Sequence, residues 1–212
     1  MEVSVIIRNR NEKYYIGFAI QSCLDYFNTP EIIIINNESE DDSMKVVSLF
    51  DHCNIINENF NGSYTPGKSL NYGVKKATHK TILILSAHSQ IIEMDLAYVN
   101  KQLSNNVAVF GKQIPIYRGK KITPRYVWSH FVNTQTTNMF SKIENRSFLH
   151  NAFCFYNKDF LLKHPFNETL SGKEDRYWAI DRVKEGFNYL YTPKIKANHY
   201  WTPNGATWKG LG

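Results

Sequence analysis

Short, nearly all-apolar runs recur through the first part of the chain: Val3-Ser-Val-Ile-Ile7, Glu31-Ile-Ile-Ile-Ile35 and Thr81-Ile-Leu-Ile-Leu85. Each is far below the ~20 apolar residues that a membrane span needs. None shows the polar alternation of a strand with one wet face. They read as strands covered on both faces, the kind that build α/β sheets. Between them lie segments of helical period. Glu12–Phe27 sets Ile16, Ile20, Cys23, Leu24 and Phe27 on one face. Asp41–Phe50 does so with Met44, Val47 and Phe50, and Lys68–Ala77 with Leu70, Val74 and Ala77. A short strand at Asn54–Ile56 completes four strands alternating with three helices. That order predicts an α/β, Rossmann-like, doubly wound and mostly parallel sheet.

Beyond about residue 94 the pattern loosens. A helix is expected at Asp95–Leu103 and a strand at Val107–Phe110, followed by an aromatic, loop-rich stretch through Ser141. A strand at Ala152–Tyr156, a helix at Lys173–Glu185 and a last strand at Asn188–Tyr191 follow. No repeat or low-complexity linker interrupts the chain. The expectation is one domain, residues 1–212, in two halves: a regular nucleotide-binding half (1–93) and an irregular half (94–212) for a second substrate.

The net charge of +6 favours an anionic partner such as a nucleotide or a phospholipid surface. Because the basic residues are scattered rather than clustered, a nucleic-acid footprint is not expected. Thirteen Tyr and four Trp exceed the needs of a core and would serve as stacking surfaces for sugars or bases. Three widely spaced cysteines, Cys23, Cys53 and Cys154, suit reduced thiols and argue against a zinc site. Met1-Glu2 leads straight into a strand with no signal-peptide pattern, so a cytoplasmic location is expected.

Three segments carry chemistry. The strand Thr81–Leu85 runs into the polar corner Ser86-Ala87-His88, and ligands of open α/β sheets bind beyond the carboxyl ends of such strands. Gly62-Ser-Tyr-Thr-Pro-Gly67-Lys68-Ser69 matches the phosphate-binding G-x-x-x-x-G-K-[ST] pattern letter for letter. However, a polar loop expected at Asn57–Asn61 precedes it, and the next strand ends in Ser86 without a Mg²⁺-binding carboxylate. A nucleotide-hydrolysing loop is therefore a weak rival, although Lys68 keeps its interest as a phosphate partner. Ser171-Gly-Lys-Glu174-Asp175 opens the last helix. Ser171 and Glu174 have capping-box spacing, which assigns Glu174 to the helix start and leaves Asp175 pointing elsewhere. The helix dipole favours the Asp175 anion. It is then a weak base unless apolar neighbours such as Trp178 raise its pKa.

Taken together, these segments resemble a family 2 inverting glycosyltransferase of the GT-A fold, over nearly the whole chain from Val3 to about His199. Val3-Ser-Val-Ile-Ile-Arg-Asn-Arg-Asn-Glu12 is similar to the family's first strand and nucleotide-binding turn. Glu31-Ile-Ile-Ile-Ile-Asn-Asn-Glu-Ser-Glu-Asp-Asp-Ser43 resembles its second-strand signature. Gly67-Lys-Ser-Leu-Asn-Tyr-Gly73 resembles the segment leading to its D-x-D, and Gly172-Lys-Glu-Asp175 with Trp178 and Ala179 its ED motif. One branch, labelled rhamnosyltransferase-like, carries Ser-Ala-His in place of D-x-D, and a later Gly-Lys-Gln-x-Pro, as Gly111-Lys-Gln113-Ile-Pro115 here.

The resemblance implies roles. Arg8, Arg10 and Asn36 would line the base and ribose of a UDP- or dTDP-linked sugar, and Lys68, Ser86 and His88 its diphosphate. Asp175, beside Glu174, would be the catalytic base, with Gln113 and Trp178 at the acceptor, a glycan or lipid-linked saccharide. D-x-D supplies oxygen ligands for Mg²⁺ or Mn²⁺. Here His88, with His199 as second candidate, would bind Mn²⁺ through neutral imidazoles, or His88 would meet the diphosphate directly and make the metal unnecessary. The Lys/Arg excess and aromatic second half would suit peripheral contact with the inner face of an anionic membrane, although no amphipathic anchor is evident. The alternative function is a catalytically inactive GT-A-like module that binds nucleotide or glycan.

Overall fold

The structure is a computed structural model that describes residues 2–50, 55–59, 63–117, 120–121, 127–203 and 205. Cys53, Asn54 and the Gly62 end of the phosphate-loop match lie outside these residues. The first half holds strands β1 (Ser4–Asn9), β2 (Glu31–Asn36), β3 (Ile55–Asn59) and β4 (Thr81–Ser86), with helices α1 (Ile16–Tyr26), α2 (Ser43–Ser48) and α3 (Pro66–Lys76) between them. β5 (Ser89–Glu93) closes the first half, and α4 (Leu96–Leu103) and β6 (Ala108–Tyr117) open the second. The second half ends with β7 (Phe153–Asn157), α5 (Lys158–Lys163), α6 (Glu174–Lys184) and β8 (Tyr189–Tyr200).

One sheet runs through both halves in the order β3-β2-β1-β4-β7-β6-β8-β5. The pairings β1–β2, β2–β3 and β1–β4 are parallel, as the alternation predicts. β7 then enters antiparallel to β4, and β8 lies parallel to β6. Both faces of the first strands are buried, and each face has its own core. Ile6, Ile33, Ile35, Ile82 and Ile84 pack with Leu70 and Val74 of α3 and with Ala77, which caps its C-terminus. Val5, Ile7, Ile32, Ile34, Leu83 and Leu85 pack with Ile16, Ala19, Ile20 and Cys23 of α1. Fully burying an Ile side chain contributes about 1.5–3 kcal/mol, so these continuous runs are the main anchor of the sheet.

Glycine lets α3 lie close to the sheet. A Cβ at Gly73 would stand 2.6 Å from Ile6 Cγ2, and one at Gly67 would stand 2.4 Å from the backbone oxygen of Asn167. The helix start is capped by Thr65, whose Oγ1 accepts from Lys68 N at 3.2 Å and donates to Glu168 O at 2.8 Å. Gly67 thus serves helix packing, with the 167–168 backbone against the helix start where the P-loop pattern would need a phosphate cradle.

Several elements differ from the sequence reading. β3 extends through Asn57, Glu58 and Asn59, so a polar loop does not begin at Asn57. β6 and β8 run to Tyr117 and Tyr200, well past Phe110 and Tyr191. In β8 the register shifts between Thr192 and Lys196, around Pro193. A proline in a strand is accommodated at such an irregularity. β5 and α5 were not expected. The capping box does not form either: α6 begins at Glu174 after Lys173, and no side chain caps it.

Candidate active site

The carboxyl ends of β1 and β4 open onto a cavity of about 890 Å³, within the range of small-molecule sites. Its wall includes Arg8, Arg10, Glu12, Ser86, His88, His150, Asn151, Glu174, Asp175, Arg176 and His199. The topology explains this convergence. β1 and β4 deliver Arg8 and Ser86 at paired positions. Because β7 is antiparallel to β4, the residues before β7 lie at the same edge, and Ser86 N donates to Ala152 O at 3.0 Å. The chain then turns at Ala87-His88 into β5, which pairs Ser89 with His199 of β8. Tyr200 N donates to His88 O at 2.8 Å, which fixes the two histidine-bearing segments side by side.

Asp175 is buried and held by three donors. Oδ2 accepts from Asn151 N at 3.0 Å and from Arg176 Nη1 at 2.8 Å, and Oδ1 accepts from Arg176 N at 2.8 Å. Burial alone would raise its pKa. The Arg176 guanidinium and the backbone N–H groups outweigh that and hold the carboxyl below the usual range. Arg176 is itself fixed, with Nη1 donating to Leu149 O at 2.7 Å and the guanidinium 4.3 Å from the Phe148 ring centroid.

Glu174 goes the other way. Burial raises its pKa, Asp175 beside it adds to the rise, and Arg8 opposes it. Arg8 Nη2 lies 3.5 Å from Glu174 Oε1, and Arg8 Nη1 donates to Tyr64 OH at 3.2 Å. Glu174 therefore faces the cavity and Arg8 instead of turning back to Ser171. The turn residues Asn11 (φ 55°) and Lys173 (φ 60°), both on the cavity wall, hold left-handed backbone conformations, a form of strain that gathers at functional sites.

A histidine group forms the other side. His88 Nδ1 lies 3.1 Å from Glu12 Oε1, and Ser86 Oγ is 3.1 Å from His88 Nε2. The His88 and His199 ring centroids are 4.9 Å apart. Burial pushes the His199 pKa well down and lowers that of His150 to about 3, so both rings are neutral. His199 Nδ1 meets Gln113 Oε1 at 2.8 Å, and Gln113 Nε2 meets His150 Nδ1 at 3.1 Å. Among the described residues no group of three or more His, Cys, Asp or Glu is arranged to hold a metal ion. The donor chemistry of the pair does suit a cation shared with a ligand. The Nδ1 atoms lie on Glu12 Oε1 and Gln113 Oε1, the usual outer-shell arrangement of metal-binding histidines, while His88 Nε2 also lies beside Ser86 Oγ.

Four residues expected at the site lie elsewhere. Trp178 is 3% exposed. Its Nε1 donates to His164 O at 2.7 Å, and its ring packs on Tyr156 and Phe166, so it belongs to the core beneath α6. Gln113 is 1% exposed and sits behind the histidines, off the cavity wall. Asn36 lies off the wall too, its Oδ1 accepting from Ser39 N at 3.4 Å and Asn9 Nδ2 at 3.5 Å. Lys68 turns to the loop before it, donating to Ser63 Oγ at 2.7 Å. In turn, Glu12, His150, Asn151 and Arg176 were missed as site residues. Arg176 was legible as the cation next to the ED pair, whereas His150 and Asn151 depend on the antiparallel entry of β7.

Residues 4–164 match the profile of Glycosyl transferase family 2. The chain belongs to glycosyl transferase family 2. No curated protein matches this family member. Among solved structures it is similar to S. aureus TarS 1-349 in complex with UDP-GlcNAc. The identity is 18% and the TM-score 0.75, over 99% of this chain and 61% of that one. TarS 1-349 in complex with UDP aligns at 19% identity and TM-score 0.72, over 96% and 61%. GalNAc-T7 with UDP, GalNAc and Mn²⁺ aligns at 14% identity and TM-score 0.74, over 97% and 45%. These likenesses show the GT-A fold. This family 2 chain spans about three fifths of TarS 1-349.

Proposed function

We propose that this chain transfers a sugar from a nucleoside diphosphate sugar to a hydroxyl of a glycan or lipid-linked saccharide, with inversion, and that Asp175 is the general base. The observation that carries this reading is the Asp175 carboxylate, held ionised on the wall of a cavity that also presents Arg8, Arg10 and Lys173. Oδ2 is occupied by two donors and Oδ1 by one, so Oδ1 keeps a lone pair for an incoming proton. The acceptor hydroxyl gives its proton to Oδ1 as its oxygen bonds to the anomeric carbon. The bond to the diphosphate breaks on the opposite face. The leaving diphosphate gathers negative charge, which Arg8, Arg10 and Lys173 stabilise. Glu174 fixes Arg8 for that task.

TarS is seen with UDP-GlcNAc and with UDP, and GalNAc-T7 with UDP, which supports a uridine donor here, with dTDP-sugars as its near analogue. Ser86-Ala87-His88 occupies the place of the D-x-D, and Ser86 and His88 are assigned to the diphosphate. GalNAc-T7 is seen with Mn²⁺. Were that ion bound here, His88 and His199 would hold it and it would neutralise charge on the diphosphate. We place the protein in the cytoplasm, in peripheral contact with an anionic membrane. Among the described residues no helix is long and apolar enough to cross one. The test is donor turnover against a panel of UDP- and dTDP-sugars. Release of the nucleoside diphosphate supports transfer. Binding without turnover of any donor supports the inactive nucleotide-binding module instead.

A further inference from the structure

A buried hydrogen-bond chain leads from the backbone of β7 to the histidine pair, and each of its links determines the next. Ala152 N lies 3.3 Å from His150 Nδ1. A backbone N–H can only donate, so His150 Nδ1 carries a lone pair and, in the neutral ring, the proton is on Nε2. Gln113 is 3.1 Å from that same Nδ1 and must therefore turn its NH₂ toward it. The carboxamide oxygen then points the other way, 2.8 Å from His199 Nδ1, and it can only accept. His199 Nδ1 thus carries the proton. Its ring is 1% exposed, and in the neutral ring Nε2 then carries the lone pair.

The strand pairing makes the arrangement rigid. Gln113 pairs with Ala197, and Pro115 pairs with His199, in the parallel β6–β8 ladder. Gln113 and His199 therefore share one sheet face as diagonal neighbours. A Gln at this position is the one residue type of its size that can donate to one imidazole and accept from the next.

We infer that Gln113 is a positioning residue that holds His199 and His150 in opposite tautomers, so that His199 meets an incoming ligand with a lone pair on Nε2. That form binds a divalent cation and cannot donate to a diphosphate oxygen. The cation part rests on the nucleotide-sugar reading above, whereas the tautomers are a property of the ligand-free chain. The two therefore fail separately.

The test is long-range ¹H–¹⁵N correlation of the full chain labelled with ¹⁵N-histidine, with His199→Gln and His150→Gln assigning the signals. The expected result at neutral pH is Nδ1–H for His199 and Nε2–H for His150. An Nε2–H or doubly protonated His199 overturns the inference. Mn²⁺ affinity is then measured by calorimetry in the presence of UDP. Gln113→Met should weaken it about 10- to 100-fold, the usual loss when an outer-shell partner of a ligating histidine is removed. Gln113→Glu keeps the acceptor for His199 and should retain most of the affinity while altering the His150 signal. Equal Mn²⁺ affinity in wild type and Gln113→Met, or no Mn²⁺ binding by wild type, overturns the cation role.

Discussion

Arg176 donates through Nη1 to Asp175 Oδ2 at 2.8 Å from the next position in the chain, and its own backbone N–H takes the other carboxylate oxygen at 2.8 Å. One residue therefore both orients the proposed base and lowers its pKa. Glu174, its neighbour on the other side, has its pKa raised by burial. Adjacent carboxyls pushed in opposite directions mark acid–base machinery, and the direction of each shift separates their roles.

The acid limb of the pH–rate profile follows from this. Asp175 is held below the ordinary carboxylate range, so it stays ionised as the pH falls through that range. Its folded pKa is depressed, so its contribution to stability is likewise present above the unfolded value and lost as pH falls through the folded one. The kcat profile should remain level through pH 5 and decline only below the usual aspartate pKa of about 3.9. An acid limb centred above the ordinary glutamate value would transfer the base role to Glu174, which burial raises.

Arg8→Met should leave Glu174 buried without its cation. Arg8 is 28% exposed at the side chain and Glu174 7%. The stability loss should therefore be about 1–3 kcal/mol, below the 3–5 of a fully buried broken pair. Adding Glu174→Gln should recover part of the loss, which urea denaturation of the four proteins in the double-mutant cycle would show. If Arg8 steadies the leaving diphosphate, kcat should stay depressed in the double variant even where stability returns.

Gly67→Ala should destabilise by about 1–3 kcal/mol, because the added methyl would stand 2.4 Å from a backbone oxygen that has no rotamer to escape into. Gly172→Ala, with nothing within 4 Å, is the control and should be near neutral. Thermal unfolding distinguishes them.

Trp178→Phe removes the Nε1 donor to His164 O but keeps most of the ring in its pocket. Stability should fall by about 1–2 kcal/mol, and the KM for acceptor should not change. A selective rise in acceptor KM would return Trp178 to the binding site.

The first half was legible because its strands are apolar on both faces and its helices keep a 3.6-residue period, so local pattern and tertiary role coincide. Up to β4 only the element ends moved, by one to a few residues, whereas β5 at the close of that half has no counterpart in the local pattern. β8 was cut short in the sequence reading because Pro193 and the alternating Lys194, Lys196 and Asn198 resemble a loop. Pairing with both β6 and β5 overrides that local signal. At the site, Asp175 and His88 stood out in local motifs. Glu12, His150 and Asn151 did not, since their place depends on contacts across tens of residues. Gln113 stands out in its motif, but its burial does not, because a motif gives no information on burial.

The most direct measurement compares wild type with Asp175→Asn in nucleotide binding and in donor turnover with the most active sugar nucleotide. Removal of a general base lowers the rate about 10²- to 10⁴-fold. The expected result is a loss of that size in turnover with nucleotide affinity unchanged within a few-fold. Turnover by Asp175→Asn at the wild-type rate would contradict the role of Asp175 and the mechanism built on it.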